Sequence, residues 1–371
     1  MVEMIQKYLK EEIELEYGKG LTKNQRKEGK IPVYGSNGIV DYNDKAYFQG
    51  PGIIIGRKGT VGSVKYEKND FWAIDTTYVV KLKNENEDNI FWYYFLQTLG
   101  LERMNSHSAV PGLNRDRVYN IKINIPKKHE DRKKFSIILR AFDKKIELNN
   151  KINNNLYNFA INYLNSVSAN DEVKVSEFGK IQGGYAFKSK DLKDEKTKNR
   201  VIKIKNLRSE INADISNSQF IDDEVALKID KKFELQKGDV AIAMTGAELG
   251  KTGFIYGKDN YYLNQRVGVI KGKDAKSELY LKILMLSNNF QRLLNSKGYG
   301  SAQPNISTLE IESIMIKNIT KENLDDFYKT IYPIYNKIVN NCEESEALTQ
   351  IRDTLLPKLM NGEIDLDNIE I

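Results

Sequence analysis

Few residues in this chain have both the type and the spacing that catalysis or metal binding requires. Cys342 is the single cysteine, and His107 and His129 are the only histidines, which excludes an intrachain disulfide and a Cys/His zinc site. Any nucleophile–histidine mechanism would have to use one of these two histidines as its base. Because His107 lies in the polar run 105–108, we interpret it as a surface-loop residue rather than a general base.

The segment 245–252 resembles a nucleotide-binding P-loop, whose pattern is G-x-x-x-x-G-K-[ST]. Its first position is Thr245 rather than Gly, however, and the matching stretch at 54–61 has no Lys-Thr pair. The flanking residues also fit strand–turn–strand better than the strand–loop–helix of a P-loop. The G-x-S-x-G, H-E-x-x-H and zinc-deaminase patterns are absent, and so is the Pro-Pro dipeptide of amino-methyltransferases. The sequence therefore predicts no catalytic residue, no cofactor and no metal site.

The composition indicates a globular protein with a polyanionic partner. The 371 residues suffice for two or three domains, and 40% hydrophobic residues can build their cores. Lys and Arg number 57 against 51 Asp and Glu, a formal charge of +6 that is far below a histone-like density. No run approaches the roughly 18 apolar residues of a membrane span, and the N-terminus lacks an apolar signal segment. We expect a cytoplasmic protein with no membrane partner.

The elements that would position functional residues occur twice, because the chain is an internal repeat. Residues 59–64 match 250–255 at a shift of 191, and residues 111–114 match 304–307 at a shift of 193. Further apolar matches at shifts of 192 and 193 pair Ile121, Ile123, Phe135, Leu139, Ile146, Leu156, Tyr163 and Leu164 with Ile314, Ile316, Phe327, Ile331, Ile338, Leu348, Leu355 and Leu356. Three blocks in the same order indicate two copies of one unit.

Each copy begins with a part that we predict to mix strands and short helices, at 1–127 and at 170–319. Gly-bounded apolar runs predict strands at 52–56, 61–66 and 78–82 in the first copy and at 239–244, 253–256 and 266–270 in the second. Apolar residues at three- and four-residue steps then predict a helix in each copy, over 90–101 and 279–294.

Each copy ends with a predicted long helix, within 128–169 and 320–371. The segment 130–167 contains neither Pro nor Gly and would extend roughly 57 Å at 1.5 Å per residue. Apolar residues at alternating steps of four and three indicate a coiled-coil seam, while Pro333 and Pro357 should kink or interrupt the second helix. The predicted seam residues are Phe135, Leu139, Phe142, Ile146, Asn149, Asn153, Leu156, Phe327, Ile331, Ile334, Ile338, Asn341 and Leu348.

The middle of each seam is polar, with Asn149 and Asn153 in one helix and Asn341 and Ser345 in the other. Buried Asn costs stability but fixes the register of paired helices, so these residues could face each other. The alternative is a solvated weak point, since residues 149–155 hold five Asn. The predicted fold is α+β, with two pseudo-repeated mixed α/β domains separated by two long helices that form an antiparallel coiled coil.

On this frame, several segments resemble the specificity (S) subunit of type I restriction-modification systems, over essentially the whole chain. In the first copy the resemblance rests on KIPVYGSNG (30–38), WAIDTTY (72–78) and AVPGLN (109–114). In the second it rests on IQGGYAF (181–187), VIKIKNL (201–207), NQRVG (264–268), GSAQPNIS (300–307) and LLPKLMNGEI (355–364). Each segment is modest evidence alone, but their order on a duplicated frame is specific.

The resemblance implies two target-recognition domains, each reading one half of a bipartite site in double-stranded DNA, held apart by the two helices. It also implies two modification (M) subunits that carry S-adenosylmethionine and the methyltransferase chemistry, and restriction (R) subunits that add translocation and cleavage. The chain itself would be a non-catalytic specificity subunit. Two other classes stay open: a stand-alone DNA-binding enzyme, such as a fused nuclease or methyltransferase, and a duplicated protein-binding scaffold.

Sequence specificity would then require loop side chains that reach base edges, such as Arg to guanine and Asn or Gln to adenine. In the first domain the candidate DNA-binding residues are Ser36, Asn37, Arg57, Lys58, Thr76, Thr77, His107, Asn114 and Arg115. In the second domain they are Gln182, Tyr185, Lys188, Lys205, Asn206, Thr245, Glu248, Lys251, Gln265, Arg266, Tyr299 and Gln303.

Overall fold

The structure is a computed structural model that describes residues 2–84, 86–104, 112–169, 171–208, 211–298 and 304–364. Its residues pack into two compact units. Unit 1 comprises the described residues of Met1–Lys144 and Leu348–Ile371, and unit 2 comprises those of Lys145–Ala347. Each unit therefore includes part of both long helices, whereas the predicted segments end at 127, 169 and 319.

Unit 1 contains a four-stranded antiparallel sheet in the order β2-β8-β5-β6, a three-stranded sheet β4-β3-β7 and the antiparallel pair β1-β9. Its elements are β1 (Met4–Tyr8), α1 (Leu9–Glu12), β2 (Ile13–Tyr17), β3 (Ile31–Gly35), β4 (Gly38–Asn43), β5 (Gly52–Gly56), β6 (Val64–Glu67), β7 (Trp72–Ala73), β8 (Thr77–Leu82), α2 (Asn89–Gln97), α3 (Arg115–Tyr119), β9 (Lys122–Pro126) and the first part of the long helix α4 (His129–Ser166).

Strand β5 is buried along its whole length because both faces of its sheet are covered. Ile53 and Ile55 join a core that includes Trp92 of α2. Ile54, which points the other way, joins a second cluster with Phe71. The short run Gly-Ile-Ile-Ile-Gly is thus a central strand, and its two ends are fixed by packing on both sides.

Unit 2 repeats this plan, with a sheet in the order β11-β18-β15-β16, a second sheet β13-β12-β17-β14 and the pair β10-β19. Its elements are β10 (Glu172–Lys174), β11 (Gly179–Gly183), β12 (Asn199–Ile202), β13 (Gln219–Phe220), α5 (Asp223–Ala226), β14 (Glu234–Leu235), β15 (Val240–Ala243), β16 (Thr252–Phe254), β17 (Asn260–Leu263), β18 (Val267–Gly272), α6 (Ala275–Leu286), α7 (Asn288–Gly298), α8 (Thr308–Glu312), β19 (Met315–Lys317) and most of the long helix α9 (Lys321–Met360).

Corresponding hydrogen bonds confirm the repeat. The N–H of Leu9 donates to the carbonyl of Ile121 at 2.9 Å. In unit 2 the N–H of Val175 donates to the carbonyl of Ile314, also at 2.9 Å. Both units also contain one parallel strand pair, β3-β7 in unit 1 and β12-β17 in unit 2. The two copies therefore share a backbone frame as well as a sequence pattern.

The structure displaces one block of the repeat, the match of residues 59–64 with 250–255, by three residues. The structure places Gly250 in correspondence with Gly62 rather than Gly59, because both donate their N–H to the last residue of a central strand, Gly56 or Ala243, at 2.8 and 2.9 Å. Gly62 and Gly250 also share a left-handed backbone, with φ of 76° and 81°. A G-x-x-G spacing occurs in both copies, and it permits a slip of three residues in a comparison by sequence alone.

Several predicted element bounds also differ from the structure. The strand predicted at 61–66 starts at Val64, since residues 59–62 form a turn. The helix predicted at 279–294 begins at Ala275 and is divided at Ser287 into α6 and α7. The interruption expected of Pro333 and Pro357 is wrong, since α9 continues through both. Both prolines are exposed, so each ring faces solvent and packing on the opposite side maintains the helix.

In unit 2 the helices α4 and α9 pack antiparallel around a polar seam. Asn149 Nδ2 donates to Glu344 Oε2 at 2.9 Å and to Ser345 Oγ at 3.3 Å. One turn further along α4, Asn153 Oδ1 accepts from Asn341 Nδ2 at 2.8 Å. Asn149, Asn153 and Asn341 are all buried, so the seam positions themselves are not solvated, although Asn150, Asn154 and Asn155 of the same run are exposed. The Asn153–Asn341 amide pair defines the register of the two helices here, whereas Asn149 Oδ1 is buried without a hydrogen-bond partner among the described residues.

In unit 1 the same two helices meet through an ion pair and an apolar cluster. Arg352 Nη1 donates to Asp143 Oδ1 at 2.6 Å, and the Tyr94 hydroxyl donates to the other carboxylate oxygen. Phe135 and Leu139 pack in the core of the unit. Over both units, the predicted seam residues divide into the buried Phe135, Leu139, Asn149, Asn153, Phe327, Ile331, Ile338 and Asn341 and the half-buried Phe142, Ile146, Leu156, Ile334 and Leu348.

Candidate nucleic-acid interfaces

Several loops of unit 1 meet at one edge of its four-stranded sheet. β2 ends at Tyr17, opposite Tyr78 of β8, and β5 ends at Gly56, opposite Thr77. Because neighbouring strands are antiparallel, the loops after β2 and β5 emerge beside the loop before β8. We call this edge the strand-end face of unit 1, and its accessible predicted residues are Ser36, Asn37, Arg57, Lys58, Thr76, Asn114 and Arg115.

Hydrogen bonds join these loops into one surface. The N–H of Arg57 donates to the carbonyl of Thr76 at 2.8 Å, and the carbonyl of Arg57 accepts from the N–H of Leu113 at 2.9 Å. The hydroxyl of Ser63 donates to the carbonyl of Ser36. Candidate residues that are far apart in sequence are therefore held together by backbone contacts.

Two arginines of this face stack on Tyr17. This tyrosine belongs to a strand and is therefore not among the candidate residues, which come from predicted loops. The guanidinium carbons of Arg57 and Arg115 lie 5.2 and 5.4 Å from the ring centroid of Tyr17, within cation–π range. The Tyr17 ring in turn packs on Tyr78, with 5.1 Å between centroids. Burial, and then a hydrogen bond with Tyr17, raise the pKa of Tyr78 to about 12, so its hydroxyl stays protonated near neutral pH. Tyr17 is the last residue of a strand, which is the only sequence signal for its position.

Unit 2 has a corresponding strand-end face. β11 ends at Gly183, opposite Gly268 of β18, and the N–H of Met244, just after β15, donates to the carbonyl of Arg266 at 3.0 Å. The end of β11, the loops after β11, β12 and β15 and the turn before β18 carry the accessible predicted residues Gln182, Tyr185, Lys188, Lys205, Thr245, Glu248, Lys251, Gln265 and Arg266.

Several of these side chains already have partners within the unit. Thr245 Oγ1 donates to the carbonyl of Pro304 at 3.1 Å, and Gln182 Nε2 donates to the carbonyl of Gly183 at 2.7 Å. Glu248 and Lys251 form an ion pair with each other. Tyr185 packs its ring against Phe187 and Phe233. Asn114 of unit 1 likewise caps α3 by accepting from the N–H of Arg117 at 3.0 Å.

Four cations of the two faces are exposed and form no ion pair within the part of the chain that the structure describes: Lys58, Lys188, Lys205 and Arg266. Close to one of them, burial and then the charge of Lys205 lower the pKa of Lys203. Unpaired exposed cations are the groups that can neutralise phosphates without first breaking an internal contact.

Thr77 and Asn206 are not available to a ligand. Both side chains are fully buried. Thr77 Oγ1 donates to the carbonyl of Ile74 at 2.7 Å. Asn206 Nδ2 donates to the carbonyl of Asp214 at 2.9 Å, and its Oδ1 accepts from the N–H of Lys203 at 2.9 Å. These residues hold the loops rather than present a surface, because their polar atoms substitute for missing backbone partners.

Three candidate residues, His107, Tyr299 and Gln303, lie outside the described residues. Among the residues that are described, no group of three or more His, Cys, Asp or Glu side chains could hold a metal ion. Burial raises the pKa of the Cys342 thiol to about 12, which keeps it protonated and a poor nucleophile. No helix in the described part of the chain is long and apolar enough to cross a membrane.

A cleft of about 1110 Å³ in unit 2 is lined by several amide side chains, including Asn154, Asn158 and Gln291, together with aromatic, aliphatic and charged residues. Its two cations, Arg208 and Lys251, are paired with carboxylates. Neutral amides and compensated charges supply hydrogen bonds, but they provide no activated nucleophile or base.

Comparison with known proteins is consistent along the chain. The family model "Type I restriction modification DNA specificity domain" matches twice, at residues 2–158 and 168–331. The MjaIX specificity subunit of Methanocaldococcus jannaschii is 22% identical over 306 residues, which are 75% of this chain and 70% of that protein. The HindI specificity subunit of Haemophilus influenzae is 33% identical over 104 residues, but that match spans only 28% of this chain and 23% of that protein.

The fold agrees with the sequence matches. A crystal structure of the type I restriction-modification S subunit from M. genitalium aligns with a TM-score of 0.60 at 16% identity, over 96% of both chains. The two family-model matches coincide with the two copies of the repeat and together cover well over half of the residues. This chain therefore belongs to the family of type I restriction-modification DNA specificity subunits.

Proposed function

We propose that this chain recognises a bipartite site in double-stranded DNA, with each strand-end face reading one half. The observation that carries the proposal is the duplication itself, since each unit presents polar and cationic loops at the same edge of the same sheet. A protein that contacts one continuous site has no need of two such faces, whereas a site with two separate halves requires both.

The two kinds of contact have different roles. Exposed cations such as Lys58 and Lys205 supply sequence-independent affinity through phosphates, with a steep dependence on salt. Discrimination comes from side chains that reach base edges, at about 1–3 kcal/mol for each bidentate pair. Arg266 is the leading candidate in unit 2, because it is exposed in the turn before β18 and its guanidinium has no partner among the described residues.

We further propose that the chain directs partner subunits to that site and has no catalytic role itself. Two M subunits would dock on the long helices and supply methyl transfer, and R subunits would supply cleavage. Membership of the specificity family supports these partners. Because the substrate is DNA, the site of action would be the cytoplasm.

The test begins with the assembled complex of this chain and its M partner in cells. Methylated positions mapped across the genome should define a motif of two short halves separated by unspecified bases. The purified chain alone should neither methylate nor cleave DNA. Methyl transfer by the chain alone would favour a fused enzyme, and an unchanged genome with a stable protein partner would favour a scaffold.

Substitution of Arg266 then tests whether the halves are read separately. Arg266→Ala should reduce discrimination by about 1–3 kcal/mol at one position of one half-site and leave the other half unchanged. The control is Arg292→Ala, which removes the same charge from unit 2 but from a side chain that already bonds Asn289 on α7. Binding of the complex to duplexes altered in each half measures both. Equal losses in the two halves would contradict separate reading.

A further inference from the structure

The most organised group of side chains on either strand-end face is the cluster around Tyr17 in unit 1. Tyr17 is 48% exposed, yet its ring contacts Tyr78 and carries Arg57 and Arg115 within cation–π range. Arg57 also lies 5.9 Å from the ring of Tyr78, and Arg115 lies 5.9 Å from that of Tyr119. Each guanidinium is thus near two aromatic rings, which restricts its motion although the cluster is open to solvent.

The orientation of Arg57 is set by a second contact. Its Nε and Nη2 both donate to the carbonyl of Asp75, at 3.1 and 2.5 Å. Those bonds occupy one edge of the planar guanidinium and leave the Nη1–Nη2 edge without a partner among the described residues. A free edge of this kind is the fork that pairs with two acceptors at once.

Arg115 is held by a different element. It is the first residue of α3, directly after the cap residue Asn114. Its guanidinium forms no hydrogen bond or ion pair with any described residue, so its donors are also unused. The cluster therefore presents two arginines that contact aromatic rings and still have free donors among the described residues: the Nη1–Nη2 edge of Arg57 and the guanidinium of Arg115.

Unit 2 lacks this cluster, although its backbone frame is the same. In the sheets, Tyr17 pairs with Tyr78 just as Gly183 pairs with Gly268. A Cβ on Gly268 would lie 2.8 Å from the sulfur of Met244, the residue in the place of Arg57. The position after the cap residue of the short helix, held by Arg115 in unit 1, is Thr308 in unit 2. Packing of the sheet therefore does not require the cluster, because unit 2 forms the same sheet without it.

We propose that Tyr17 is a positioning residue that holds Arg57 and Arg115 for direct contact with guanine in the half-site read by unit 1. The inference rests on the proposed function and specifies one base of its target. Guanine offers two acceptors, O6 and N7, on its major-groove edge, and a fixed arginine fork matches both. A phosphate contact needs only charge, so it would not call for a guanidinium fixed by two rings and a carbonyl. Prior ordering lowers the entropic cost of the contact.

The test measures base preference rather than affinity alone. The complex of this chain with its M partner is bound to a library of duplexes that carries all four base pairs at each position of both half-sites. The wild type should prefer G·C at one or more positions of one half. Tyr17→Ala and Arg57→Lys should each reduce that preference by about tenfold. Tyr17→Phe keeps the ring and should restore it. Preferences in the other half should not change.

Two comparisons separate positioning from other roles. Arg57→Lys keeps the charge and removes only the planar fork, so a loss of base preference with an unchanged dependence of affinity on salt assigns the effect to fork geometry rather than to charge. Tyr8→Ala removes another exposed tyrosine that carries two cations, Lys10 and Lys122, and it should alter no base preference. Thermal unfolding of each variant checks that it is folded.

The possible failures are distinct. If Tyr17→Ala lowers affinity equally for every sequence, or Arg57→Lys retains the preference, the contact is with phosphate and the inference is wrong. If Tyr17→Phe behaves as Tyr17→Ala, the ring is not what positions the arginines. If the wild-type complex prefers no bipartite sequence at all, the proposed function fails first.

Discussion

The two strand-end faces lie on four-stranded sheets of the same strand order but carry different side chains. Unit 1 concentrates arginine at the end of β5 and the start of α3, as Arg57 and Arg115. In unit 2 the corresponding positions are Met244 and Thr308, and the arginine is instead Arg266, in the turn before β18. A duplicated frame that leaves its edge free to vary is what a protein needs if its two halves must recognise different sequences.

The two parts of the helix seam differ in a similar way. In unit 1 the helices are joined by a charged contact, Asp143 with Arg352, whereas in unit 2 they are joined by the amides of Asn149, Asn153 and Asn341. Amide pairs specify register, and ion pairs tolerate more sliding because Coulomb forces vary gradually with distance. The seam of unit 2 therefore determines the alignment of the two helices.

The largest effect should come from a charge placed in the seam of unit 2. Ile338 is 1% exposed within the core of that unit, so Ile338→Asp buries a carboxylate and should destabilise unit 2 by about 4–5 kcal/mol. Ile351→Asp is the matched control, since Ile351 is 47% exposed on the same helix and its replacement should cost no more than about 0.5 kcal/mol. Urea unfolding followed by circular dichroism measures both. Equal midpoints would show that the seam does not stabilise the fold.

The next largest effect on stability should distinguish a buried from an exposed asparagine in the loops that follow β12 and β3. Asn206 in unit 2 is fully buried and bonds the backbone of Lys203 and Asp214, so Asn206→Ala should cost about 2–3 kcal/mol. Asn37 in unit 1 is exposed, and Asn37→Ala should change stability by less than about 0.5 kcal/mol. If Asn206→Ala weakened DNA binding while its unfolding midpoint stayed unchanged, Asn206 would belong to the surface after all.

The sequence alone predicts the repeat, the long helices and the central strands, because each depends on a periodic pattern. Gly-Ile-Ile-Ile-Gly at 52–56 is bounded by glycines, and the strand has those bounds. Comparison by sequence alone fails where two alignments of the copies match the pattern equally well. The G-x-x-G spacing around Gly62 and Gly250 permits two alignments, and only the hydrogen bond to the preceding strand distinguishes them.

Site residues are harder to predict because residue type does not determine the direction of a side chain. Thr77 and Asn206 have the polar side chains expected of DNA-contacting loops, yet their backbone neighbours lack partners that these side chains supply. Tyr17 is the opposite case. It is the last residue of a strand, and nothing in that position indicates that its ring is exposed. Pro333 is tolerated in α9 because its ring faces solvent, which depends on how the helix packs.

The smallest expected effect is the pH dependence of stability that comes from Cys342, the single thiol of the chain. Cys342 lies in unit 2, and unit 1 has no cysteine. Cys342 lies beside the polar seam, where its sulfur accepts from Asn153 Nδ2 at 3.3 Å and donates to Asn212 Oδ1 at 2.9 Å. Burial raises its pKa from 9.0 to about 12. The folded protein therefore keeps the thiol proton at a pH where the unfolded chain releases it.

The sign of the pH dependence follows from that difference. Below pH 9 the thiol is protonated in both states and its contribution to stability is constant. As the pH rises from 9 toward 12, only the unfolded chain loses the proton, so the free energy of unfolding falls, by about 1.4 kcal/mol at pH 10. Cys342→Ala removes this contribution, and the difference between wild type and variant in urea unfolding at pH 8 and pH 10 isolates it from tyrosines and lysines that titrate in both proteins. Parallel losses in the two proteins would mean that water reaches the thiol in the folded state, and that the amide seam of unit 2 is as open to solvent as the strand-end faces.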